Sequence, residues 1–156
     1  MGHLLETLLD YFRQEQWVYT QIEDEPILHS MFTGKNGRLP FIAEVKEDLD
    51  MVVFYSYCPV KAPENTRDSV AEFLTRANYG LLVGNFEMDY SDGEVRYKTV
   101  IARAGDFLSK DLISHLVYTN LATMDRYLPG LMGVIYGGLS PVQAVVQVEG
   151  GQTNIN

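Results

Sequence analysis

The chain has 156 residues, of which 46% are hydrophobic and 12% aromatic, and its 21 acids outnumber its 12 bases to give a net charge of −9. This length is typical of one domain, and the composition is that of a folded chain rather than a disordered one. The excess of acids, with no run of Lys and Arg, argues against binding to nucleic acid or to an anionic membrane surface. The same acidity favours a basic or amphipathic partner, or it serves solubility alone.

Cellular location is indicated by what the sequence lacks. No segment approaches the ~20 apolar residues that a membrane helix needs, and the N-terminus MGHLLETLL has no cationic region of the kind that begins a secretory signal. The single Cys58 excludes an intramolecular disulfide and a CxxC site. We therefore expect a cytoplasmic protein in which Cys58, at the end of an apolar run, is a buried thiol.

The first half of the chain is predicted to be a helix followed by a meander of strands. An apolar stripe with helical spacing predicts a first amphipathic helix that ends near Gln16; its members are Leu4, Leu5, Leu8, Leu9 and Phe12. Runs rich in β-formers predict strands at 17–22, 27–32, 39–45 and 51–58. The Asn36-Gly37 pair supplies the positive φ that a hairpin turn between two of these strands requires.

A second helix and a β-hairpin are predicted next. The helix begins with Asn65 or Thr66 as its cap and ends at Gly80; its apolar stripe is Val70, Phe73, Leu74 and Ala77. Asp92-Gly93 is a two-residue hairpin signal. It pairs Tyr90 with Val95, Met88 with Tyr97, Phe86 with Thr99, Asp89 with Arg96 and Glu87 with Lys98. One face of this hairpin is apolar and the other is complementary in charge, so the pattern favours a single register.

The last part of the chain is predicted to be helical. Ser109 caps a third helix with the core-facing stripe Leu112, Ile113, Leu116, Val117, Asn120 and Met124. Pro129-Gly130 is expected to break or kink this helix, and Ser140-Pro141 begins a short final helix to about Val148.

Strands and helices therefore come in blocks along the chain. This order predicts an α+β fold with an antiparallel sheet and helices packed mainly on one face, in the order α-β(3-4)-α-β-β-α(-α), rather than a parallel βαβ array. Residues 1–149 are expected to form one domain, and residues 150–156 a polar tail that frays.

The sequence offers no recognisable catalytic or metal-binding constellation. His3, His29 and His115 lie on separate predicted elements and lack the spacing of metal ligands. Four acids gather at one turn and could hold Ca²⁺ weakly, but their spacing is not that of an EF-hand, so a solvated turn is the better interpretation; they are Glu44, Glu47, Asp48 and Asp50. We predict no enzyme activity, no catalytic residue, no cofactor and no metal.

Several short motifs resemble the YbjN family of bacterial proteins. They are Gly34-Lys35-Asn36-Gly37-Arg38, Leu74-Thr75-Arg76-Ala77-Asn78, Gly84-Asn85-Phe86-Glu87, Asp92-Gly93, Tyr127-Leu128-Pro129, Tyr136-Gly137-Gly138 and Ser140-Pro141-x-x-Ala144. The resemblance implies a fold like that of type III secretion chaperones, and it implies a role in sensory transduction without established catalytic residues. The segment after Val148 departs from the family pattern. The Arg76 and Asn78 pair is interpreted as helix-end structure.

Two protein-binding functions are expected ahead of catalysis. The first is a chaperone-like or adaptor protein that holds a segment of a client protein, and the second is a signalling regulator that acts through protein contacts. We also expect a homodimer, which the secretion-chaperone resemblance suggests. Its candidate surface draws on the second helix and the strand after it, at Val70, Phe73, Leu74, Leu81 and Val83. Two alternatives stay open for Leu81 and Val83: the C-terminal helices could cover them, or they could form the client site.

Overall fold

The computed structural model describes residues 2–105 and 107–150. Within these residues the α-helices are α1 (His3–Gln14), α2 (Arg67–Gly80), α3 (Lys110–Ile135) and α4 (Pro141–Glu149). The strands of the same described part are β1 (Tyr19–Thr20), β2 (Ile27–Thr33), β3 (Arg38–Lys46), β4 (Met51–Tyr57), β5 (Asn85–Met88) and β6 (Val95–Ala102). Short 3-10 turns at Glu47–Leu49 and Glu64–Thr66 precede β4 and α2.

The six strands form one antiparallel sheet in the order β1-β2-β3-β4-β6-β5. This confirms the predicted α+β class and the order of its elements. The first predicted strand, at 17–22, is reduced to the two residues of β1. A turn does join β2 to β3 at residues 34–37, but neither Asn36 nor Gly37 has the positive φ that was expected of it. The prediction that residues 150–156 form a fraying tail concerns, from residue 151 onward, positions outside the described residues.

Helices α1, α2 and α3 pack on one face of the sheet. Alternate residues of β3, β4 and β6 face this layer and are almost fully buried, as the period of a strand requires. They join the apolar stripes of the helices in one core cluster. The opposite face of the sheet is left open to solvent, which an antiparallel sheet tolerates. Within residues 2–105 and 107–150, no helix combines the length and apolarity required to cross a bilayer.

Asn120 ties α3 to the sheet from inside the core. Its side chain is 0% exposed, and its Nδ2 donates to the carbonyl oxygens of Phe54 and Tyr97 and to Thr99 Oγ1 at 3.0–3.2 Å. These acceptors lie on β4 and β6. The single amide of Asn120 therefore fixes the point along these two central strands at which α3 crosses them. Sequence reasoning placed Asn120 on the core-facing stripe correctly but offered no partner for it.

The register predicted for the β5–β6 hairpin is wrong by two residues. The observed pairs are Asn85 with Lys98, Phe86 with Tyr97, Glu87 with Arg96 and Met88 with Val95. Residues 90–93 form a longer loop, closed by the Asp89 N–H donating to the Glu94 carbonyl at 2.9 Å. The loop is held by its own side chains, since Asp89 Oδ1 accepts the Ser91 N–H at 2.8 Å. Because the slip is two residues, every side chain keeps its predicted face.

The break expected at Pro129 is absent, because α3 runs without interruption through this residue. The cap at Ser109 is confirmed by the Leu112 N–H donating to Ser109 Oγ at 3.1 Å. Leu112, which was assigned to the core stripe, is instead 40% exposed. The start of α4 at Ser140 is also confirmed, with a full capping box between Ser140 and Gln143.

Candidate protein-binding surface

Three of the five predicted surface residues are part of the core. Val70 and Phe73 are 0% exposed and Leu74 is 4% exposed, so the apolar stripe of α2 covers the sheet and α3. An amphipathic helix has one wide apolar stripe, and in this monomer the core takes all of it. Leu81 and Val83 are partly buried against the same core. The predicted set therefore does not form a surface as a whole.

The outer side of α2 forms an apolar groove with α4. The groove has a volume of about 440 Å³ and is lined by Thr75, Arg76, Tyr79, Val142, Val145 and Val146. Tyr79 is 95% exposed and Val146 is 65% exposed, so the groove presents large apolar side chains to solvent. We refer to these six residues as the α2–α4 groove.

Helix α4 is held in place by contacts with α3 and α2. Ala144 is fully buried, and Glu149 Oε2 accepts a hydrogen bond from the Tyr127 hydroxyl at 2.9 Å. Gly130 of α3 allows the close approach, because a Cβ at this position would lie 2.7 Å from both Phe73 and Val148. The C-terminal helix therefore packs against the helical layer and forms the second wall of the groove.

A signal for this groove was present in the sequence and was not used. Helix α4 reads PVQAVVQVE, with apolar residues on every side and Glu149 as its single charge. A helix that is apolar all round is ordinarily buried on all sides. In this structure only Ala144 is fully buried, so α4 presents an apolar side that the monomer does not cover.

The open face of the sheet is the second notable surface. Strands β2 to β6 carry four bases and two acids there, namely Arg38, Lys46, Arg96, Lys98, Glu44 and Glu87. Two further acids, Asp89 and Glu94, line one pocket with Glu87 and Arg96 at the β5–β6 end, so bases and acids are in balance on this side. Between the charges lie apolar and aromatic side chains, which are Met31, Ile42, Val53, Tyr55, Tyr57 and Val100.

Two cations share one carboxylate on this open face. Glu87 accepts from Arg96 Nε and from Lys98 Nζ, both at 2.8 Å. Burial alone would raise the pKa of Glu87, but the hydrogen bonds from Lys98 and Arg96 outweigh burial and hold that pKa below its usual value. The Arg96 guanidinium also lies over the Tyr55 ring, 4.1 Å from its centroid, in a cation–π contact.

The residues with potential for chemistry are scattered. His3, His29 and His115 lie on α1, β2 and α3, and no group of three or more potential metal ligands occurs within the described residues. Cys58 is buried as predicted, and burial raises the pKa of its thiol to about 11. A thiol of this kind is protonated at neutral pH and is a poor nucleophile.

Comparisons with solved structures agree on the fold. A crystal structure of YbjN from E. coli, described as "a putative transcription regulator", matches 86% of this chain and 90% of its own with a TM-score of 0.59 and 9% identity. A chain of the ExsC–ExsE complex matches 81% and 91% with a TM-score of 0.54 and 11% identity. A chain of the HopA1–SchA chaperone–effector complex matches 79% and 91% with a TM-score of 0.50 and 14% identity.

Comparisons of sequence point to the same family. A search of curated proteins returned no match. The family model YbjN, described as "Putative bacterial sensory transduction regulator", matches residues 4–132, which is most of the chain. The resemblance inferred from the short motifs is thereby confirmed. This chain belongs to the YbjN family.

Proposed function

We propose that this protein is a non-catalytic, cytoplasmic binding module that works as a homodimer and holds a segment of a client protein, as a chaperone or adaptor does. The observation that carries the proposal is the α2–α4 groove, in which Tyr79, Val142 and Val146 stand exposed. Contiguous apolar surface on a folded protein commonly marks a protein interface.

A second copy of the chain is the occupant that best fits this groove. Its charged lining residue, Arg76, pairs with Glu72 one helical turn away, with Nε and Oε2 3.0 Å apart. In a two-fold dimer, each copy would place its Arg76 and its Glu72 at the edge of the interface. The positive and negative charges there would then be equal in number. The valines of α4 would then be covered by the equivalent residues of the other copy.

The fold supports the client-holding role. Two of the similar structures are complexes, one of them between a chaperone and an effector. At 11–14% identity this similarity concerns the fold, so a shared role is an inference by analogy. The poor nucleophilicity of the buried Cys58 and the separation of the histidines agree with a protein that binds rather than catalyses.

A signalling or transcription regulator is the second candidate, and the family description favours it. Such a regulator would use the same kind of protein contact. The two roles differ in the partner, which is an unfolded or extended client segment in one case and a folded signalling protein in the other.

Client capture followed by limited proteolysis separates these roles. The purified protein would be incubated with native lysate, and captured polypeptides would be identified by mass spectrometry and then digested in free and bound form. One stoichiometric polypeptide that is protease-sensitive when free and protected when bound supports the client-holding role. A folded kinase or transcription factor, equally resistant in both forms, supports the regulator. Absence of any stoichiometric partner would contradict both.

A further inference from the structure

Helix α4 occupies a site on α2 and α3 that fits a short apolar helix. Ala144 of α4 is fully buried there, and Val148 is partly buried against the same core. Gly130 of α3 makes room for Val148, because a Cβ at residue 130 would lie 2.7 Å from that side chain. The Tyr127 hydroxyl donates to Glu149 at the end of the helix, at 2.9 Å. The structure thus shows which segment the site accepts.

The helical form of α4 depends on this site. The helix has nine residues, and an isolated helix of fewer than about 12–15 residues is marginal in water. Helix α4 is therefore stable where it is docked. Every copy of the chain carries the same site and the same helix, so the α4 of one copy fits the site of another copy as well as it fits its own.

The connection between α3 and α4 has the properties of a hinge. Tyr136, Gly137 and Gly138 are exposed, and Gly138 has a φ of +66°. When extended, three residues span about 10 Å, which is comparable to the distance between the axes of packed helices. After this hinge, Leu139 packs on Gly133, where an added Cβ would lie 3.8 Å from the Leu139 Cβ. The contact between Gly133 and Leu139 therefore spans the hinge.

We infer that the protein forms a domain-swapped homodimer, in which the α4 of each copy leaves its own chain and docks on α2 and α3 of the other copy. The exchange replaces each contact of α4 by the same contact between copies, so its cost is confined to the hinge and to the association of two chains. It also brings two copies together at the α2–α4 groove, where burial of Val142 and Val146 stabilises the dimer. This inference rests on the proposed homodimer and names the segment that each copy contributes.

Gly138→Val tests the hinge. The closed hinge holds residue 138 in the left-handed region, where a residue with a side chain is strained, whereas an extended hinge does not. A Cβ at Gly138 meets none of the described atoms within 4 Å, so the substitution acts through the backbone. Strain in the closed monomer favours the exchanged form. We therefore expect the dissociation constant of the dimer to fall at least about tenfold.

Gly105→Val is the matched control. Gly105 has a φ of +87°, and a Cβ there also meets none of the described atoms within 4 Å, but the residue precedes α3 and lies outside the hinge. Its strain is the same in monomer and dimer, so the dissociation constant should stay at the wild-type value. Sedimentation equilibrium over a dilution series measures the wild type and both variants.

A disulfide across the hinge reports which chain supplies α4. Gly133→Cys with Leu139→Cys places two Cβ atoms 3.8 Å apart, which is a typical separation in a disulfide. The native Cys58 is buried and does not compete for the introduced pair. Oxidation of the dimer should join two chains, so a non-reducing denaturing gel should show twice the mass of one chain. Leu139→Cys alone should give single chains, because residue 133 then carries no thiol.

Four results overturn the inference. The first is a dimer whose introduced disulfide closes within single chains, which leaves the proposed homodimer and the client-holding role intact. The second is covalent dimerisation of Leu139→Cys alone. The third is a dissociation constant for Gly138→Val that is no lower than that for Gly105→Val. The fourth is a wild-type protein with the mass of one chain, which also removes the homodimer from the proposed function.

Discussion

Asn36 and Asp125 join the β2–β3 turn to the middle of α3 through two hydrogen bonds, and Lys35 donates a third to Asp125. The Asp125 carboxylate accepts the N–H groups of Lys35 at 3.0 Å and of Asn36 at 2.8 Å, and the Asn36 side-chain amide donates to the Asp125 carbonyl at 2.9 Å. That carbonyl lies four residues before Pro129, which has no N–H to donate to it. Asn36 therefore supplies the donor that Pro129 lacks, and α3 can continue through the proline.

This relationship predicts coupling between Asn36 and Pro129. Asn36→Ala should lower the free energy of unfolding by about 1 kcal/mol, because the Asp125 carbonyl loses its donor. In a Pro129→Ala background the loss should be smaller, since Ala at 129 provides the missing N–H. Urea unfolding of the two single variants and the double variant measures this coupling. Equal losses in both backgrounds would show that the two residues do not share the carbonyl.

Asn78 is predicted to protect the edge of the sheet at β5. Its side chain accepts the Phe86 N–H at 2.7 Å and donates to the Phe86 carbonyl at 3.1 Å. Asn78→Ala should reduce the free energy of unfolding by about 1–2 kcal/mol and expose an unpaired strand edge that promotes aggregation. Chemical unfolding and turbidity on heating test this prediction, with the exposed Asn65→Ala as the matched control. The prediction would be contradicted if Asn78→Ala had the same free energy of unfolding and the same turbidity on heating as the control.

Position 120 is expected to require a side chain that donates hydrogen bonds rather than one that only accepts them. Its Nδ2 faces three oxygen atoms on Phe54, Tyr97 and Thr99, so Asn120→Asp would place buried carboxylate oxygens against them. The variant should lose about 3 kcal/mol or more of stability, or fail to fold, because a buried charge without a partner is costly. Thermal unfolding beside the exposed Asn65→Asp measures the difference. Equal melting temperatures for Asn120→Asp and Asn65→Asp would contradict the role of Asn120 as a buried donor.

Asp50 is predicted to make stability depend on pH. Its carboxylate bonds to Arg103 and accepts the Gly105 N–H at 2.6 Å, and these bonds, that of Arg103 first, hold its pKa below the usual value. A lowered pKa contributes stability that is present above the unfolded pKa of about 3.9 and is lost as pH falls through the folded value. The stability difference between wild type and Asp50→Asn should therefore shrink from neutral pH to about pH 3. Asn also tolerates the left-handed conformation of this residue, so backbone strain does not obscure the result. A difference that is constant over this pH range would contradict the prediction.

Local patterns predicted the elements well, and contacts distant in sequence account for the errors. The capping signal at Ser140 and the apolar stripe of α1 depend on neighbours in the chain, so both were predicted correctly. Pro129-Gly130 was expected to break or kink α3, and the break is absent because Asn36, which lies far away in sequence, supplies the donor that Pro129 lacks. The Asp92-Gly93 signal gave the wrong register, because Asp89 bonds to Ser91 within the loop instead of to Arg96 across the strands.

The candidate surface was only partly predictable for a related reason. The stripe of α2 was identified correctly, but a sequence pattern does not say whether an apolar stripe meets the core or a partner. Phe73 turned out to be core, and the exposed apolar surface lies on the other side of α2 at Tyr79. The valines of α4 complete that surface through a packing arrangement made possible by Gly130.

The mass of the protein in solution tests most directly whether the α2–α4 groove joins two copies. Multi-angle light scattering at micromolar concentration should give twice the 17.7 kDa of one chain. Val142→Asp with Val146→Asp should give a single-chain mass, because charges placed on an apolar interface prevent its burial. Val18→Asp, at a residue that is 87% exposed outside the groove, should remain a dimer. A wild-type protein with the mass of one chain, or a dimer that survives both groove substitutions, would contradict the account.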